Sequence, residues 1–270
     1  MAEKKKICLI TIDPQNDFVN RDGTATLAVP GAIADMDRLA RMIEKNGDEI
    51  DDIQITMDSH FHVHIAHACW HVDKKGNHPK PFTLISDDAM INGDFRAYDP
   101  ERQQWTLDYT KALKVNKRYV LCIWPDHCII GSPGQCIDPV FLKAVTAWET
   151  RFFATAPRTT KGSNPFTEHY SAVKADVEYP GDPKTRLNSR LIDTLKTYDI
   201  ILAAGEALSH CLNFTMSDIV ADFSDDQVKK IVLLEDAASS VPGFEKMGED
   251  FVNAMVAKGM QVSKTTTFFK

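Results

Sequence analysis

"ICLITID" (Ile7–Asp13) is an apolar, β-branched run closed by an acid. It lacks the strict apolar/polar alternation of a strand with one wet face, so it reads as a strand buried on both faces, as in a parallel sheet. Four further runs have the same form: "IQITMD" (53–58), "YVLCIW" (119–124), "IILAAGE" (200–206) and "KIVLLED" (230–236). Helical patterns lie between them, over 31–47, 138–153, 187–198, 209–223 and 244–259. The first places Ile33, Met36, Leu39, Ala40 and Ile43 at helical spacing and stops at Gly47. Strand alternating with helix predicts an α/β fold with a doubly wound, mostly parallel sheet and helices on both faces.

The rhythm breaks over 72–118, where "KKGNHPKPF", "NGDF" and "DPERQQW" are rich in turn formers. This stretch is expected to be an insertion or lid laid over the surface of a single domain spanning 1–270. With a net charge of −7, the chain offers no basic stripe to replace counterions along a phosphate backbone, which argues against nucleic acid. Its one lysine run, at 4–6, precedes an apolar run too short for a secretory leader or a membrane span. A cytoplasmic protein with no membrane partner is therefore expected. The 6 cysteines form no C-x-x-C pair and read as free thiols, mostly buried.

In open α/β sheets ligands bind beyond the carboxyl ends of the strands, so the residues that close each run matter most. Asp13 closes the first and Asp58 the second, "WPDHC" (124–128) closes the third, and "GEALSHC" (205–211) closes the fourth. Cys211 opens a helix, where the dipole and free N–H groups favour a thiolate and could form an oxyanion hole; a buried, inert cysteine is the competing reading. Asp13 could take the thiol's proton or simply brace a turn, and Asp17 suits loop bracing. Five of the 9 histidines fall within "DSHFHVHIAHACWH" (58–71). Asp58, His60 and His127 could hold zinc, manganese or ferrous iron, and His64 would share a face with His60 if the segment were helical. Phe18, Trp70 and Trp124 could line an apolar pocket or belong to the core, and Cys128 is expected in the core.

Five segments, "LITIDPQNDF" (9–18), "DSH" (58–60), "IWPDHCIIGSPG" (123–134), "KGSNPFTEHYSA" (161–172) and "AAGEALSHC" (203–211), occur in the order and spacing of the isochorismatase-like cysteine hydrolases. The chain resembles that family from position 7 to about 240, and its nicotinamidase branch most closely. The resemblance implies an amidohydrolase that cleaves nicotinamide to nicotinate and ammonia through a cysteine thioester. It assigns Asp13, Lys161 and Cys211 to the catalytic triad and the backbone N–H groups of Ala207 and Cys211 to the oxyanion hole. A cis Glu206–Ala207 bond, a substrate pocket containing Phe18 and Trp124, and one divalent metal on Asp58, His60 and His127 are also implied. The metal would be zinc, with manganese or iron as alternatives, and His64 is favoured over His62 as an extra ligand; His67 and His71 are left to supporting or surface roles. Homo-oligomers are common in such families. Read without the resemblance, Lys161 is an ordinary loop lysine. Glu206 and His210 depart from the small or aromatic residues usual beside the cysteine, which leaves another small amide as an alternative substrate. A non-catalytic metal-binding protein is the reading from outside enzymology.

Overall fold

The computed structural model describes residues 4–270. Six strands form the central sheet: β1 (Ile7–Ile12), β2 (Asp52–Asp58), β3 (Arg158–Lys161), β4 (Ile200–Gly205), β5 (Ile231–Leu234) and β6 (Gln261–Ser263). Their spatial order is β6-β5-β4-β1-β2-β3, and every pairing is parallel. The chain starts in the middle, builds outward to one edge, returns, and builds to the other. Such a sheet has its topological switch point between β1 and β4.

Side chains alternate across each central strand and find core on both sides. Ile7 and Leu9 of β1 pack on one face, while Cys8, Ile10 and Ile12 pack on the other; β4 and β5 divide in the same way. The first face is covered by helices α1 (Ala32–Asn46) and α3 (Pro139–Phe152), which contribute Met36, Leu39, Phe141 and Val145. The second is covered by α4 (Ser189–Lys196), α5 (Cys211–Asp222) and α6 (Glu245–Ala257), through Leu195, Leu212, Met216 and Phe251. β1 and β4 approach closely at their carboxyl ends. A Cβ on Gly205 would lie 2.1 Å from the Ile12 carbonyl oxygen, and the residue sits at φ +110, so only glycine fits.

One sequence expectation about the sheet is corrected. The run 119–124 does not join it; Leu121–Cys122 pair antiparallel to Leu84–Ile85, and Trp124 makes an isolated bridge to His67. Its place beside β2 is taken by β3, whose sequence "RTTK" carries no apolar signal because an edge strand with largely exposed side chains needs none. The 72–118 stretch is also more than a covering. It contains α2 (Gln103–Val115) and a two-stranded pairing of His71–Asp73 with Phe95–Ala97, and Ile85, Met90, Tyr109 and Leu113 enter the main core. No helix among the described residues is long and apolar enough to cross a membrane.

Candidate active site and metal centre

The switch point gathers residues that lie far apart in sequence. Asp13 follows β1 in a left-handed conformation (φ 43) that short polar side chains tolerate, and it is fully buried. Thr56 of β2 braces it twice, accepting the Asp13 N–H at 3.1 Å and donating its hydroxyl to Oδ1 at 2.6 Å. The parallel register sets Asp58 beside Lys161 at the ends of β2 and β3. From there Lys161 Nζ reaches Asp13 Oδ2 at 2.9 Å, Asp58 Oδ1 at 3.1 Å and Cys211 Sγ at 3.3 Å. Lys161 is therefore a buried hub of three groups and not a solvated loop lysine.

Cys211 begins α5, and its backbone N–H and that of Ala207 donate to no partner among the described residues. The Glu206–Ala207 peptide is cis. Together these leave two N–H groups free beside the thiol, as an oxyanion hole requires.

The charges sort themselves. Burial pushes the Asp13 carboxyl up, with Lys161 opposing. Burial would also raise Asp58, but His60 and Lys161 hold it well below the usual carboxylate range. Burial would lower Lys161, yet Asp13 and Asp58 keep it well above its ordinary value, so it is cationic. Burial pushes the Cys211 thiol well above its ordinary range, with Asp13 and Asp58 reinforcing and Lys161 resisting. The thiolate favoured by the helix N-terminus is thus not the resting form. Cys211 rests as a thiol beside a carboxyl group that can receive its proton.

Beyond Asp58 the side chains turn from nucleophile chemistry to ligand chemistry. His60 Nδ1 donates to the Gly162 carbonyl at 3.2 Å and His127 Nδ1 to the Pro125 carbonyl at 2.9 Å, which turns both Nε2 atoms toward Asp58. Burial would lower His60, but Asp58 and Glu168 raise it to about 9, so a bound cation would take the place of its Nε2 proton. Those Nε2 atoms lie 3.0 and 3.3 Å from the two oxygens of Asp58. Asp58 Oδ1 and His60 Nε2 are buried without a properly aligned hydrogen bond. Imidazoles oriented by backbone carbonyls, with their Nε2 atoms converging on a carboxylate, fit a divalent cation of borderline hardness.

The histidine cluster differs from expectation in one respect. After His60 the chain is not helical: it winds through turns into a short 3-10 turn at Ala68–Trp70, so the i, i+4 argument for His64 does not apply. His64 is buried 4.5 Å from the His60 ring, but its Nδ1 accepts the Ala66 N–H and its Nε2 meets the Thr167 carbonyl. His67, set aside in the sequence, is fully buried; its Nδ1 donates to the His62 carbonyl at 3.0 Å and its Nε2 is unpartnered. It has the pattern of His60 and His127, and its ring lies 5.3 Å from His60. His62 is exposed and pairs with Asp126, while His71 is buried and donates to the Ile65 carbonyl at 2.7 Å. Glu168, also passed over, accepts the His169 N–H at 2.7 Å and stands 3.7 Å from His60 Nε2, with Oε2 unpartnered. The signal for it was its place within the motif that starts at Lys161.

Phe18 and Trp124 are buried; Phe18 packs edge-on to His127 at 5.7 Å, and Trp124 donates to the Tyr170 hydroxyl at 2.7 Å. His210, beside the cysteine, lies 5.0 Å from Trp124 and 4.7 Å from Phe244, giving an aromatic wall that the sequence reading only half identified. Trp70 belongs elsewhere, donating to Thr106. Asp17 is the loop brace expected of it, accepting the N–H groups of Cys128 and Thr26. All six cysteines are free.

No family model matches the chain. A stretch of 97 residues is 30% identical to the nicotinamidase of Escherichia coli (strain K12). It covers 35% of this chain and 38% of that protein, so the match spans little more than a third of the relative. The fold is similar over almost its whole length to the yeast nicotinamidase bound to the inhibitor nicotinaldehyde. There the TM-score is 0.66 at 17% identity, over 96% of this chain and 99% of that one. The pyrazinamidase of Pyrococcus horikoshii, in complex with zinc, gives 0.54 at 17% identity over the same shares. The chain thus has the fold of the isochorismatase-like hydrolases. Among the proteins that share it are nicotinamidases and pyrazinamidases.

Proposed function

We propose that the protein is a metal-assisted cysteine amidase that hydrolyses nicotinamide to nicotinate and ammonia. The observation that carries this reading is the position of Lys161 Nζ, within 3.3 Å of Asp13, Asp58 and Cys211 at once. One ammonium joins the nucleophile, its base and the cation site.

The residues support the following chemistry. Cys211 Sγ attacks the amide carbonyl carbon while Asp13 takes the thiol proton. The oxyanion that forms meets the N–H groups of Ala207 and Cys211. Asp13 returns the proton to the departing nitrogen, the C–N bond breaks, and ammonia leaves a thioester. Water then attacks the thioester with Asp13 as base, releasing the carboxylic acid and restoring the thiol. Lys161 keeps the buried carboxylates from repelling one another throughout. A divalent cation on Asp58, His60 and His127, with His67 in place of His64 as the extra ligand, would supply a Lewis acid that anchors the substrate's ring nitrogen. The donor set suits zinc, and the zinc complex of the pyrazinamidase above points the same way. Phe18 and Trp124 would hold the ring. A single domain, a cytoplasmic setting and a homo-oligomer accompany this reading without bearing on the chemistry.

The test is ammonia release from nicotinamide by zinc-reconstituted protein, with Cys211→Ala as control. Turnover that falls by about a thousandfold or more in the variant is expected. Absence of turnover by the parent protein would remove nicotinamide as substrate. His210 and Phe244, which pack around Trp124 next to Cys211, favour a second reading, another small aromatic amide, which a panel of carboxamides in the same assay distinguishes.

A further inference from the structure

A second cavity, of about 360 Å³, opens on the outer side of β3, where the chain leaves Lys161 and loops through 162–188. Asp13, Asp58 and Cys211 do not line it, but Lys161, Gly162, His169, Asp182, Lys184 and Arg186 do. His169 is only 6% exposed, and its Nδ1 accepts the Gly162 N–H at 3.2 Å. That bond places the ring proton on Nε2, which has no hydrogen-bond partner among the described residues although the ring faces the cavity. Burial, together with the charge of Lys161, lowers this imidazole to about 3, so it is neutral and Nε2 is a donor.

The rim is cationic in a chain whose net charge is −7. Lys184 and Arg186 make no ion pair among the described residues. The single acid, Asp182, already accepts from Asn164 Nδ2 and the Lys184 N–H. A donor oriented by the backbone on a residue only 6% exposed, facing a cavity beside two cations that form no ion pair, is the chemistry of an anion site.

We propose that this cavity is a binding site for a small anion bearing a carboxylate or phosphate group, received by His169 Nε2 and by Lys184 and Arg186. Gly162 joins it to the metal centre. Its N–H holds His169 and its carbonyl holds His60, while a Cβ there would lie 2.7 Å from the His60 ring and 2.9 Å from Asp58. Occupancy should therefore be felt at His60. The proposal does not depend on the amidase reading.

The test is nitrogen-15 NMR of the imidazoles during titration with inorganic phosphate and, separately, benzoate, using the full chain and its Cys211→Ala variant. A saturable shift of His169, accompanied by a smaller one of His60, is expected in both proteins. Lys184→Glu with Arg186→Glu, exposed changes that leave the core intact, should weaken binding by about tenfold or more, the worth of one charge-assisted hydrogen bond. Response to both anions marks a general anion site, and response to one assigns the group it takes. Three results overturn the proposal: no saturable shift at His169 below about 10 mM, unchanged affinity in the double variant, or shifts confined to the metal-centre histidines.

Discussion

At the scale of single residues, the site depends on ionisable groups placed where burial alone would neutralise them. Lys161 offsets two carboxylates, and the thiol it touches stays protonated until Asp13 takes the proton. Glu206 is the counter-example, a carboxyl with no cation. It is fully buried, accepts the Ser239 N–H at 3.2 Å, and is pushed well above its ordinary value of 4.5 by burial and by nearby Asp35. A raised carboxyl binds its proton more tightly in the folded than in the unfolded state. Its contribution to stability is complete below about pH 4.5 and is lost as pH rises through the folded value. Glu206→Gln, which keeps the shape without the titration, should gain stability relative to the parent between pH 6 and pH 9. Denaturant midpoints at the two pH values measure this, and parallel curves would refute the assignment.

At the scale of elements, the sequence was most legible where both faces of a strand are buried and least where a segment is exposed or irregular. β1, β2, β4 and β5 announce themselves because parallel strands between helices are apolar on both sides. β3 is silent because Arg158 and Thr160 face water and none of its residues is apolar, yet it carries the buried Lys161 to the site. In the histidine segment, turns and not a helix bring both His64 and His67 beside His60, and of the two His67 keeps an unpartnered Nε2 while His64 Nε2 meets the Thr167 carbonyl. His67→Ala should therefore weaken zinc binding by about 10–100-fold, and His62→Ala should leave it unchanged. Competition titration against a zinc-binding dye gives both affinities; equal losses, or loss only in the His62 variant, would return the ligand assignment to its starting point.

At the scale of the whole molecule, the 72–118 stretch ties the site to the core. Tyr109 of α2 is fully buried and its hydroxyl accepts the Glu168 N–H at 3.3 Å, while Trp105 donates to the Phe166 carbonyl at 2.7 Å. This helix clamps the loop that carries Glu168 and His169 behind the histidine cluster. Tyr109→Ala should cost about 3–5 kcal/mol by denaturant unfolding. A loss under about 0.5 kcal/mol, as for an ordinary surface change, would restore the view of the stretch as a mere covering.

From the sequence alone came the α/β class and the convergence of Asp13, Asp58 and Cys211 at or just beyond strand ends, while the resemblance supplied Lys161 and singled out the candidate ligands Asp58, His60 and His127. Buried apolar strands and the polar residues that close them are local patterns. It took the tertiary structure to set β3 and not 119–124 beside β2, to bring the His67 ring within 5.3 Å of His60, to stand Glu168 3.7 Å from His60 Nε2, and to line the cavity outside β3 with His169. Those facts depend on where turns and exposed strands travel in space. No periodicity along the chain records that, because such segments are held by contacts with residues up to a hundred positions away.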